Sequence, residues 1–214
     1  MTRAFADIAF TPSVKVRQDQ EGSRSAYAAL DCGDLITRDT ITEIEAQFIH
    51  ERDGFYQATV SETGWPYVQF RGGPAGFLKV LDEQTIGYAD FRGNRQYISS
   101  GNLTGNDRIS LILIDYPNRR RLKVLARARQ VAAADDPLLI ERLRPDGYRA
   151  LPERAVLLSV EAFDWNCPSH IPQRFTLADL EPQLGSLRSR LQQLETENEA
   201  LKRQLAAASG TSNA

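Results

Sequence analysis

The chain has 214 residues, 42% of them hydrophobic and 25% charged, and a formal charge of −2. That is room for one well-cored domain plus an appendage, without the overall basic field of a nucleic-acid or anionic-membrane binder. Its two cysteines, Cys32 and Cys167, form no paired framework, and no apolar leader or long apolar run appears. The expectation is a cytoplasmic protein that neither binds nucleic acid nor enters a membrane.

Residues 1–30 mix aromatic, proline and charged residues without a period, and read as an irregular arm. Ile41, Ile44, Phe48 and Ile49 then recur at helical spacing, with Thr40 as the expected cap and Glu43 completing a capping box. Asp53-Gly54 closes that segment with a turn. From there the pattern is strand-like: 55–61, 67–70, 76–82, 85–90, 109–115, 122–132 and 155–165 are short runs bounded by Gly, Asn, Asp or Pro. The run ISLILID is nearly all apolar, which predicts a strand buried on both faces. Short helices are expected over 94–102 and 137–143. Strands in succession, not alternating with long helices, predict a mainly β fold: an antiparallel barrel with peripheral helices.

The end of the chain carries the sharpest period. Leu180, Leu187, Leu194 and Leu201 fall on every seventh residue, with Leu184, Leu191, Asn198 and Leu205 between them. In heptad terms the first set takes d and the second a, and Asn198 is the polar core residue that fixes a dimer in register. In a parallel partner Arg190 meets Glu195 and Glu197 meets Lys202. The rival is a helix packed on its own domain, which usually has a wider apolar stripe. The expected organisation is an N-terminal arm (1–30), a barrel (31–176), a parallel coiled-coil helix (177–207) and a disordered tail (208–214).

Four segments carry candidate chemistry. In the first, Gln69, Arg71, Gly72, Gly73, Leu78 and Lys79 lie in a glycine-rich stretch where the backbone can approach a ligand between two cations. In the second, Tyr88, Ala89, Asn94, Arg95 and Gln96 run from a strand end into a short helix, a place suited to an anion. The plain alternative is a solvated basic turn. In the third, Arg119-Arg120-Arg121 forms a hairpin tip, with Arg121 the one placed to turn inward. The fourth, around Cys167 and His170, supplies two metal ligands at most, fewer than zinc requires, so no metal is assigned. A loop closing over a ligand or a partner is the stronger reading there.

The segments YVQFRGGPAGFLKVLD, YADFRGNRQYISSGNL and NDRISLILIDYPNRRRLKVLARAR resemble the pyridoxamine 5′-phosphate oxidase-like, FMN-binding split-barrel superfamily. The likeness is nearer its bacterial flavin-nucleotide-binding branch, which FTPSVKVRQDQEGSR and DWNCPSHIPQRF also resemble. The resemblance implies a split-barrel homodimer with flavin mononucleotide (FMN) in a cleft between subunits. It places Phe77-Leu78-Lys79 on the family's Leu-Leu-Lys strand end and Tyr88-Ala89 on its Tyr-Thr pair, so the Thr hydroxyl is missing. It also places Asn94-Arg95 on its phosphate-binding basic pair and Arg121 near its flavin-contacting Gln. The family's closing Arg-Leu-His substrate segment has no counterpart, so oxidation of pyridoxamine phosphate itself is not expected.

The expected function is therefore an FMN-dependent oxidoreductase with a small-molecule electron donor or substrate. No catalytic acid or base is named. The alternatives are a non-catalytic flavin-binding or sensor module, and an assembly protein in which the zipper is the working part.

Overall fold

Side chains alternate inward and outward along the middle of the chain, and that alternation builds a single curled sheet. The structure, a computed structural model, describes residues 1–30, 38–165 and 169–210. Its strands are β1 (Gly54–Val60), β2 (Pro66–Gly72), β3 (Lys79–Asp82), β4 (Thr85–Phe91), β5 (Arg108–Asp115), β6 (Arg120–Ala132) and β7 (Pro152–Trp165). They form one antiparallel sheet in the order β2-β1-β5-β6-β7-β4-β3. This is the split barrel expected from the sequence. β1 and β4 share no backbone ladder, yet Phe55 of β1 meets Tyr88 of β4 edge-to-face at 5.4 Å across the interior. The sheet thus curls until its two halves touch through side chains, leaving a seam between β2 and β4.

The core is one cluster running round this curl, from Phe55 and Leu111 through Val124 and Leu158 to Ile86 and Tyr88. β5 corrects the expectation of double burial. Ile109, Leu111 and Leu113 are buried, while Ile112 and Ile114 on the other face are only half-buried. One apolar face fills the barrel and the other lies on its outside.

Among the described residues, six helices surround or follow the sheet. The arm is not irregular: α1 (Arg3–Ala9) and α2 (Pro12–Gln20) are helical, followed by a 3-10 turn at Arg24–Leu30. Thr2 caps α1, and Ala4, Phe5 and Ala6 bury against β7 beside Ala162. α3 (Glu43–His50) starts later than expected because Thr42, not Thr40, forms the capping box, with Glu45. Glu45 also accepts from Trp165 Nε1 at 2.7 Å, which ties the helix to the end of β7. α5 (Pro137–Leu143) has the predicted limits, with Asp136 accepting from Leu139 N and Pro137 in the first turn. α4 (Ile98–Gly105) begins four residues later than expected, after a loop in which Arg95 and Tyr97 have φ of 62° and 54°.

Residues Met1–Ile171 form one compact unit and Pro172–Ala214 another. The second is built on α6 (Leu177–Gly210), a 34-residue helix whose start is bracketed by Thr176 and Asp179. Leu187, Leu191, Leu194 and Leu201 on it are exposed. No helix among the described residues is long and apolar enough to cross a membrane. Cys32, Cys167 and the last residues of the tail, 211–214, lie outside the described residues, and so do the expectations that rest on them.

Candidate functional site

The barrel's seam opens into a cavity of about 190 Å³. β2 contributes Tyr67, Gln69 and Arg71; β4 ends there with Asp90 and Phe91; the following loop adds Asn94, Arg95, Gln96 and Tyr97. Ile98, Ser99 and Ser100, the first turn of α4, form another wall, and Glu153 and Arg154 enter from β7.

Electrostatics organises this space. The Arg71 guanidinium reaches across the seam to Asp90 at 2.8 Å, with Arg154 on the other carboxylate oxygen at 3.7 Å. Burial pushes the Asp90 carboxyl above its ordinary range, because desolvation outweighs the pull of Arg71 and Arg154. Glu153 accepts from Arg92 Nε at 2.9 Å, from the Tyr97 hydroxyl at 3.2 Å and from Arg154 at 3.4 Å. The Arg92 hydrogen bond above all holds its carboxyl below the ordinary range. Arg154 also lies over the Tyr97 ring, 5.1 Å from its centre, and Arg95 Nε donates to the Tyr97 hydroxyl at 3.4 Å. Counting Arg92, which stands behind Glu153 outside the lining, four guanidinium groups face two carboxylates among the described residues, a local excess of two positive charges.

Two further features leave donors available at the site. The N-cap of α4, Tyr97, is left-handed and makes no side-chain cap, so among the described residues the N–H groups of the cavity-lining first turn have no side-chain acceptor. Arg71 Nε is buried without a hydrogen-bond partner among the described residues. Uncapped helix N–H groups beside arginines form an anion site. Deeper in the seam, the Tyr88 hydroxyl donates to Gln57 Oε1 at 2.7 Å, and burial drives the Tyr88 phenol far above its ordinary value.

Of the residues singled out in the sequence, the structure brings Gln69, Arg71, Asn94, Arg95 and Gln96 to one cavity. The others lie elsewhere in the chain. Leu78 and Tyr88 belong to the main core, and Ala89 packs with Ile140, Leu143 and Ala155. Lys79 Nζ donates to the Arg144 carbonyl at 3.4 Å, because β3 runs at the α5 side of the barrel. Within one chain, then, Lys79 does not converge with Arg95. Gly72 and Gly73 serve close packing instead of offering donors: a Cβ on Gly72 would stand 2.9 Å from the Phe70 ring, and one on Gly73 2.7 Å from the Phe77 ring. The Gly73 N–H is spent on the Asp53 carbonyl at 2.9 Å. Arg121 pairs opposite Ile114 on β6, away from the cavity lining.

Sequence reading did not single out Glu153, Arg154, Ser99 and Ser100 as site residues, and gave no role to Asp90 and Tyr97, which lie within its second candidate segment. A local signal existed for one pair: Glu153-Arg154 puts two charges directly before the apolar run Ala155–Leu158. Nothing local says that this head pairs with Asp90, which follows only from the β4–β7 register.

The sequence model of the family described as pyridoxamine 5′-phosphate oxidase matches residues 41–163, more than half of the chain. No curated protein matches the sequence. Among solved structures, HupZ from Group A Streptococcus is similar at 16% identity, over 63% of this chain and 99% of that one, with a TM-score of 0.49. A putative pyridoxamine 5′-phosphate oxidase from Lactobacillus delbrueckii is similar at 22% identity, over 58% and 93%, with a TM-score of 0.44. An FMN-binding protein from Syntrophomonas wolfei is similar at 11% identity, over 69% and 97%, with a TM-score of 0.43.

Proposed function

This chain belongs to the pyridoxamine 5′-phosphate oxidase family, and from that premise we propose that it binds FMN at the barrel seam and works as an FMN-dependent oxidoreductase. The carrying observation is the charge of the cavity. A local excess of two positive charges beside an uncapped helix start matches a phosphate monoester, which carries about −1.5 to −2 at neutral pH. Arg95, Arg154 and the first turn of α4 are the groups that hold the phosphate. Gln69 and the orphaned Arg71 Nε supply donors for the rest of the ligand, and Tyr97 screens Arg154 from water. Bound flavin supplies hydride chemistry, and the protein supplies position and charge.

At about 190 Å³ the cavity is smaller than the roughly 300–1,000 Å³ of ordinary ligand pockets. It takes a phosphate and its attached chain but leaves a ring system partly outside. This supports a homodimer in which a second barrel covers the remainder. The outer face of β1 and β2, opposite the cavity-lining side of β2, is an apolar surface for docking a second barrel, with Tyr56, Val68 and Phe70 at 42, 61 and 58% exposure. The heptads of α6 support a second, parallel contact between the same two chains.

The test is the absorbance spectrum of freshly purified protein and an FMN titration against Arg95→Ala. A flavin spectrum and an affinity lowered about 10- to 100-fold in the variant are expected, the usual effect of losing a charge-assisted hydrogen bond. A Soret band, or a colourless protein that ignores added FMN, overturns the proposal. Reduction of the bound flavin by a nicotinamide cofactor distinguishes the enzyme from a flavin-holding module.

A further inference from the structure

An uncapped helix start binds an anion well only if the helix is held still relative to the arginines around it. α4 has little of its own with which to achieve that. Its sequence, ISSGNLTG, holds two glycines, and Ser99 and Leu103 are its buried residues. One leucine in the core cannot fix both the position and the direction of an eight-residue helix.

What fixes α4 is a set of polar ties to three strands. Ser99 Oγ donates to Gln69 Oε1 on β2 at 2.8 Å, and Asn102 Nδ2 donates to Thr59 Oγ1 on β1 at 3.0 Å. The third tie is reciprocal. Ser100 Oγ donates to Gln130 Oε1 on β6 at 2.6 Å, and Gln130 Nε2 returns a bond to the Ser100 carbonyl at 3.0 Å. A side-chain amide accepts through its oxygen and donates through its nitrogen at once, which an ionised carboxylate or an ammonium cannot do. Gln130 does not line the cavity, whereas Ser100 does. Gln130 also stands opposite Val156 in the β6–β7 ladder, two residues along β7 from Arg154. The start of α4 and the Arg154 guanidinium are therefore indexed to the same pair of strands.

We propose that Gln130 is a positioning residue for the phosphate end of the ligand: it clamps the first turn of α4 through Ser100 and sets those N–H groups against Arg154. The inference rests on the phosphate reading of the cavity. It separates two consequences that a merely structural glutamine would not. Loosening the clamp weakens the ligand that carries a phosphate and spares its dephosphorylated counterpart, because only the phosphate needs the helix start in register.

The experiment compares FMN and riboflavin affinities, by quenching of flavin fluorescence, in the full chain and in Gln130→Met and Gln130→Glu. Methionine keeps the length of the side chain and makes neither bond. Glutamate keeps an acceptor, loses the donor and adds a negative charge beside the helix start. The FMN-over-riboflavin preference is expected to fall about tenfold in Gln130→Met, the scale of one or two lost hydrogen bonds, and further in Gln130→Glu. A preference unchanged in both variants, or equal weakening of both flavins, overturns the assignment. A parent chain with no preference for FMN overturns the phosphate reading and takes this inference with it.

Discussion

The seam of the barrel and the helix α6 break the same rule in opposite directions. In the seam, polar groups are inside: Asp90 is 8% exposed, Gln57 1%, and the Tyr88 hydroxyl is enclosed with them. On α6, apolar groups are outside: Leu191 is 58% exposed and Leu194 46%. Each arrangement is costly taken by itself, since buried charge loses hydration and exposed leucine orders water. Each also has a complement of stated chemistry. The seam has two positive charges and orphaned donors, which an anion satisfies. The helix has a narrow leucine seam flanked by Arg190, Glu195, Glu197 and Lys202, a pattern that a parallel copy of itself would satisfy. Departures from apolar-in, polar-out are thus where this molecule expects something else to arrive.

The largest effect is expected on the helix. If α6 is stable because a second copy covers its leucines, Leu191→Asp with Leu194→Asp removes two core layers, at roughly 2–5 kcal/mol each. The variant should lose most of the α6 contribution to far-UV circular dichroism, while the melting of the barrel stays where it was. Helicity that survives the double change would break the comparison, because α6 would then be a helix that needs no cover. Pro182 lies inside the helix near its start, and its missing N–H makes those turns the weakest part of the helix.

A smaller effect is expected in the seam. Asp90→Ala leaves Arg71 facing a partly buried space with no carboxylate, and removes one of Arg154's two anionic partners. Breaking such a pair from one side costs about 3 kcal/mol even where the intact pair adds little, because the remaining charge stays desolvated. Urea denaturation of the full chain measures it. A cost near zero would mean that the seam is wetter than its burial implies, and would weaken the case that its charges are held in readiness for a ligand.

The two regions also differ in how far they could be read from residues alone. The heptads of α6 are a local property, and a single period gives both the helix and its face. The strands were legible for the same reason, since alternation is local; α5 came out with its limits because Asp136 and Pro137 mark its start. The cap of α3 moved from Thr40 to Thr42 because two threonines each have a glutamate three residues on, and the choice is made by Trp165, 120 residues away, bonding Glu45. The seam was half legible. Gln69, Arg71, Asn94, Arg95 and Gln96 belong to two segments with visible glycine and arginine signals. Glu153 and Arg154 reach the cavity only through the β4–β7 ladder, and Gln130 acts on it only through the helix it clamps. Lys79 lies at the α5 side of its own barrel, which the sequence does not reveal because a strand end reads the same whichever end of the barrel it faces.

The finest test lies inside the seam, between its two carboxylates, and there the signs are opposed. Asp90 has its folded-state value raised by burial, so in the window above the ordinary carboxylate range the native chain holds this proton more tightly than the unfolded one. Its contribution is fully present below that range and is lost as pH rises through the raised value. Glu153 has its value lowered, first by the Arg92 hydrogen bond, so the unfolded chain holds that proton more tightly. Its contribution is present above the ordinary glutamate range and is lost as pH falls through the lowered value. Urea midpoints measured across the acid range for the parent, Asp90→Asn and Glu153→Gln should therefore diverge in opposite senses. With rising pH the parent's advantage over Asp90→Asn shrinks, while its advantage over Glu153→Gln grows. Parallel slopes would mean that one field governs both groups. The reading of Asp90 as a charge enclosed by the fold, and of Glu153 as one held out by arginines at the rim, would then have to be given up.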